Sequence, residues 1–130
     1  MDNRLHCFNK LEELFSLYDK VRQSVILLEN FNEEQKMYIA PINQLRSALD
    51  HIFKAINICD DFEQCEYELR EAKEHLDRAG YDTMELLAAN IGITIVEKLK
   101  RYDTKTITEV FPYYFTTIKP QLTDIKGIVA

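Results

Sequence analysis

One stretch of the chain sets an arginine and a histidine close together in an apolar frame, Leu45-Arg46-Ser47-Ala48-Leu49-Asp50-His51-Ile52. Histidine titrates nearest neutrality and arginine is a permanent cation, so Arg46 and His51 form the one constellation whose residue types look like chemistry. Five residues of α-helix turn through about 500°, which leaves the two side chains roughly 140° apart. Their convergence therefore requires a kink or a second protomer. A plainer role for Arg46 is an ion pair with Asp50, four residues on.

A second polar stripe follows in Glu71, His75, Arg78 and Asp82, at spacings of four, three and four that put all of them on one helix face. It reads either as a solvated row of charge pairs or as a polar network packed across from Asn43, Arg46 and Asp50, which would orient Arg46. His6 belongs to a terminal turn and is expected in solvent. Tyr113, Tyr114 and Phe115 form an aromatic cluster expected to close the bundle or a dimer seam. Lys98, Lys100 and Arg101 suit the negative end of a helix dipole.

An arginine followed after four to six residues by a histidine is the signature of the HEPN superfamily of small helical bundles. The segment from Leu45 to Ala55, with Ala72-Lys73-Glu74-His75-Leu76-Asp77-Arg78-Ala79-Gly80-Tyr81-Asp82, resembles such a domain over about residues 35 to 90. The resemblance implies a homodimer that cleaves RNA without metal, by transfer of the 2′-hydroxyl onto the adjacent phosphate. Toxin–antitoxin, CRISPR and abortive-infection systems use such proteins. On that footing Arg46 and His51 are catalytic at the dimer cleft: His51 supplies acid–base function and Arg46 stabilises phosphate charge. RNA is the implied substrate and an antitoxin an implied partner, with no metal or other cofactor. The alternative is a non-enzymatic helical module that binds a protein partner. Nucleotide binding without turnover is a third reading.

Composition bounds these readings. The net charge of −6 argues against a broad nucleic-acid surface, which draws its affinity from Lys and Arg on phosphates, so any RNA contact must be local. Apolar residues make up 46% and charged residues 29%, with only 3 Gly and 3 Pro, as in a folded helical protein rather than a disordered one. The three cysteines, Cys7, Cys59 and Cys65, match no compact zinc pattern and are expected reduced and structural. The longest apolar runs fall far short of the ~20 residues of a bilayer span, and the first residues lack the pattern of a secretory signal. No membrane association and a cytoplasmic address are the expectation.

The elements that must position these residues are helices. Phe8, Leu11, Phe15, Tyr18, Val21, Val25 and Leu28 recur at helical spacing and predict a first helix over about 5–28. Asn32 is placed to cap the next helix, with Glu33 and Glu34 in its first turn. Tyr38, Ile42, Leu45, Leu49, Ile52 and Ile56 form the stripe of that second helix, kinked at Pro41. Asp60 or Asp61 caps a long third helix from about Phe62 to Tyr102, with Gly80 and Gly92 as candidate bends. Further helices are expected from about Thr104, with Pro112 early in or kinking the first, and from Pro120 to Lys126, where Gly127 is a plausible stop. The expected fold is one all-α domain over 1–130, an up-and-down bundle of four to five helices, HEPN-like.

Overall fold

The computed structural model describes the backbone of residues 3–31 and 36–129 and the side chains of residues 4–31 and 36–124. The protein is all-α, as expected. Helices α1 (Asn3–Phe31), α2 (Ile39–Asn57), α3 (Phe62–Leu99), α4 (Thr104–Val110) and α5 (Lys119–Val129) are joined by a π-helical segment at Tyr114–Ile118, and no strand occurs among the described residues. None of the described helices is long and apolar enough to cross a membrane. Two compact units divide the chain, residues 1–83 and 84–130, and α3 contributes to both. No Pro- or Gly-rich linker marks that boundary in the sequence.

The first unit is built on sevens. Cys7, Leu14, Val21 and Leu28 on α1, Pro41, Ala48 and Ala55 on α2, and Cys65, Leu69, Ala72, Leu76 and Ala79 on α3 are buried at that spacing, with Val25 and Thr83 buried beside them. A repeat of 3.5 residues keeps one seam facing its neighbours along a whole helix, so three long helices share one core. Residues of all three meet in one cluster, flanked by half-buried Leu11, Leu17, Leu45 and Ile52. Cys7 meets Cys65, and Val21 lies against Gly80, so α1 and α3 run parallel. His51 meets Glu68 and Gln44 meets His75, so α2 runs back between them. The order is therefore up, down, up.

Several details depart from the sequence reading. Phe8 (58% exposed), Phe15 (70%) and Tyr18 face outward, and Cys7, Leu14 and Leu17 take the inner positions. Two apolar stripes run side by side one residue apart, and both have helical period, so spacing alone cannot choose between them. On α2 the seam is likewise displaced onto Ala48 and Ala55, which leaves Leu49 and Ile56 exposed. Small residues win these positions because they admit close helix approach. Pro41 does not kink α2: it lies in the first turn, where backbone N–H groups have no intrahelical acceptor to lose. The second helix begins at Ile39 after an extended Tyr38, and the expected cap and acids at residues 32–34 lie outside the described residues. Asp61 Oδ1 does accept from Gln64 N at 3.3 Å and caps α3. Gly80 and Gly92 sit inside an unbroken helix.

In the second unit Asp103 caps α4, its carboxylate accepting from Thr106 N at 2.7 Å; the Thr106 hydroxyl first, and then that backbone bond, hold its pKa below the usual value. Pro112 follows α4 rather than entering it, and Gly127 lies within α5. A Cβ on Gly92 would stand 3.2 Å from Leu122 Cδ2, so the glycine sets how closely α5 approaches. Of the aromatic cluster, Tyr114 is buried with its ring edge-on to Phe115 at 5.0 Å, and Tyr113 is exposed.

Candidate functional site

The residues with most chemical potential lie where α2 and α3 face each other. His51 Nδ1 donates to Glu68 Oε2 at 2.5 Å, and both side chains are largely withdrawn from solvent, at 18% and 14% exposure. His75 Nδ1 donates to Gln44 Oε1 at 2.7 Å. The two imidazoles stack on each other, with centroids 5.2 Å apart and planes 16° apart. Glu71 joins them: one ligand-type atom from each of His51, Glu71 and His75 lies within 4.8 Å of the others.

Helix phase explains this convergence. Gln44 and His51 are seven residues apart on α2, and Glu68 and His75 are seven apart on α3. Seven residues fall only about 20° short of two full turns, so each pair shares a face. Buried alanines, Ala48 and Ala72, stand between the members of each pair and leave space above the seam. Helical side chains lean toward the N-terminus of their own helix. Because α2 and α3 are antiparallel, the rings of His51 and His75 lean toward each other over that space.

The other expected site residues are placed differently. Arg46 is exposed, with no ion-pair partner among the described residues. That position agrees with the 140° that separates it from His51 on a regular helix. Asp50 is exposed and pairs with Lys54 at 2.9 Å, not with Arg46. An acid four residues before a base is the favoured order along a helix, and the reverse order is weaker. The side-chain hydrogen bond to Lys54 lowers the Asp50 pKa and raises that of Lys54. Asn43 and Arg78 are exposed and Asp82 is half-buried. The α2 residues that face the α3 stripe are thus Gln44 and His51 rather than Asn43, Arg46 and Asp50.

Glu68 and Gln44 lie outside the pairs that the sequence singles out, although both carry a signal. Glu68 extends the α3 stripe by one step of three, and Gln44 stands one heptad before His51. His6 is not simply solvated: Nε2 donates to Glu66 Oε1 at 2.8 Å and the ring lies 5.1 Å from Phe62.

Two other features hold reactive or accessible groups. Cys7 and Cys65 are free and buried, their thiols hydrogen-bonded to each other. Burial, and then the bond to Cys7, pushes the Cys65 thiol up to about 12, far from the thiolate a nucleophile or metal ligand needs. A cleft of about 510 Å³ opens along α1 and α3, lined by Lys10, Glu13, Leu17, Glu66, Arg70 and Asp77 among others. It mixes both charge signs and excludes the two stacked histidines, so size alone does not mark the chemistry.

No protein-family model, no curated protein and no solved structure matches the chain.

Proposed function

We propose that the protein is a HEPN-like, metal-independent endoribonuclease, active as a homodimer in defence or as a toxin and working in the cytoplasm. The observation that carries this reading is the His51–Glu68 hydrogen bond. A carboxylate on Nδ1 fixes the tautomer and the ring plane and leaves Nε2 to exchange a proton with substrate, the arrangement that general acid–base catalysis needs. Glu68 is then a positioning residue. Arg46, exposed five residues before His51 and about 140° around the helix, supplies a cation for the scissile phosphate. Arg46, Leu49, Phe53 and Ile56 recur at three, four and three along an exposed edge of α2. A second copy docked there would bring Arg46 to the cleft between protomers.

The test is cleavage of single-stranded RNA by the purified chain in excess chelator, with products examined for 2′,3′-cyclic phosphate ends. His51→Ala is expected to slow cleavage by about 10²- to 10⁴-fold with an unchanged helical spectrum. Arg46→Ala should act on rate as well. Wild-type protein that leaves every RNA intact, or a His51→Ala variant that cuts as fast, rules the nuclease out.

A second reading is a non-enzymatic module that docks a protein partner, an antitoxin among them. It is favoured by the exposure of Leu49, Phe53 and Ile56, apolar side chains on one edge of one helix. On that reading Phe53→Asp and Arg46→Ala weaken association and no RNA phenotype exists to lose.

A further inference from the structure

We infer that His51, His75 and Glu71 form a binding site for one divalent transition-metal ion of the zinc type, with Glu68 and Gln44 as the outer partners that orient the two imidazoles. Two histidines and a carboxylate are a recurrent zinc donor set, with a fourth position left to water or a ligand. Three features of the α2–α3 seam fit that set.

The first is which nitrogens are available. Both rings give their Nδ1 protons away, His51 to the Glu68 carboxylate and His75 to the Gln44 carbonyl. Each is thereby held as the tautomer whose Nε2 carries the lone pair. A metal-bound histidine characteristically donates its other nitrogen to a carboxylate or carbonyl in this way, which fixes its orientation and raises its basicity. The second is distance. One ring nitrogen of each imidazole and a Glu71 carboxylate oxygen lie within 4.8 Å of one another, whereas zinc bonds of about 2.0–2.2 Å place tetrahedral donors roughly 3.4 Å apart. Side-chain rotations that bring the donors closer by up to about 1.4 Å close that difference. The third is support. Glu71 and His75 stand one turn apart on one helix and His51 faces them from another, so rigid elements rather than loops carry all three.

The donors also select the ion. Imidazole suits zinc, copper or nickel, and magnesium and calcium prefer oxygen alone. Cys65 does not compete, because burial opposes its thiolate. This site does not rest on the nuclease reading, but it claims the same His51 Nε2, so a bound ion would occupy the nitrogen that metal-free cleavage needs and would inhibit it.

The experiment uses the full chain without an affinity tag, stripped with chelator. It is titrated with zinc by calorimetry and with cobalt by absorption. Expected are one ion per chain, a cobalt spectrum with visible ligand-field bands and no near-ultraviolet sulfur charge-transfer band, and a rise in melting temperature with zinc, because ligands from two helices are joined. His75→Asn and Glu71→Gln should each weaken zinc by more than 10-fold, and Glu68→Gln by about 10- to 100-fold. A sulfur band, wild-type affinity in Glu71→Gln, or no binding at all overturns the proposal. Should His75→Asn lose its helical spectrum, Glu71→Gln decides, since its carboxamide keeps the size of the side chain. RNA cleavage is assayed without metal, so the nuclease can fail while the ion still binds, and the reverse.

Discussion

Helix α3 presents two unlike faces within the first unit. Its dry face carries Cys65, Leu69 and Leu76, buried in the cluster shared with α1 and α2, where the Cys65 thiol meets that of Cys7. Toward α2 it offers Glu68, Glu71 and His75, half-buried and joined to His51 and Gln44. Both faces carry groups with intrinsic reactivity. Burial among apolar neighbours silences the Cys65 thiol by disfavouring its charged form, and half-burial with a hydrogen-bond acceptor for each Nδ1 orients the imidazoles without closing them off. What separates an inert group from a usable one here is less its type than how its second polar atom is satisfied.

The sharpest way to break that contrast is to open the dry face. Leu76→Ala, at a fully buried position, should lower stability by about 2–5 kcal/mol in urea unfolding. A loss below ~1 kcal/mol would mean that the seam is loosely packed.

Next comes the alkaline limb of stability. The folded Cys65 thiol titrates about 12 against a reference of 9.0. The folded state therefore holds that proton more tightly than the unfolded chain does. The associated stability is complete below pH 9 and drains away as pH rises from 9 toward 12. Cys65→Ala should flatten the pH dependence of the melting temperature over that window, and an unchanged slope would show that burial does not restrain the thiol.

On the polar face, Glu68→Gln exchanges a carboxylate acceptor for an amide at one oxygen's distance from His51 Nδ1. A loss of about 1.5–3 kcal/mol is the range for a hydrogen bond to a charged group, and partial retention by the amide should bring the measured effect to the low end. In a proton NMR spectrum the His51 Nδ1–H resonance should shift and exchange faster, a readout that mere loss of packing would not produce.

The smallest effect is expected where the chain is most exposed. Asp50→Asn removes the pair with Lys54 and should leave the melt within experimental error at moderate salt, because solvated helix pairs contribute little.

Period and composition made most of the helices legible. The span of α1, the cap of α3 by Asp61 and the continuity of α3 past Gly80 follow from residues visible in the sequence. The inner face of α1 did not, because Cys7, Leu14 and Leu17 and their neighbours Phe8, Phe15 and Tyr18 have the same spacing, and only the competition between three helices decides which row is buried. At the candidate site, His51, Glu71 and His75 were each visible, but their association was not. Twenty-four residues separate His51 from His75, and no local pattern reports that two antiparallel helices will bring them together. Pro41 shows the converse: proline predicts an interruption by residue type, and its place in the first turn makes it harmless.

The matched heptads of α2 and α3 have one more implication. Residues 44–51 and 68–75 each place polar side chains at their ends and an alanine between. Together they form a short cassette whose design depends only on an antiparallel helix pair with small residues at its seam. Transplanted into an unrelated helical hairpin of that geometry, those sixteen positions should carry the stacked histidines with them.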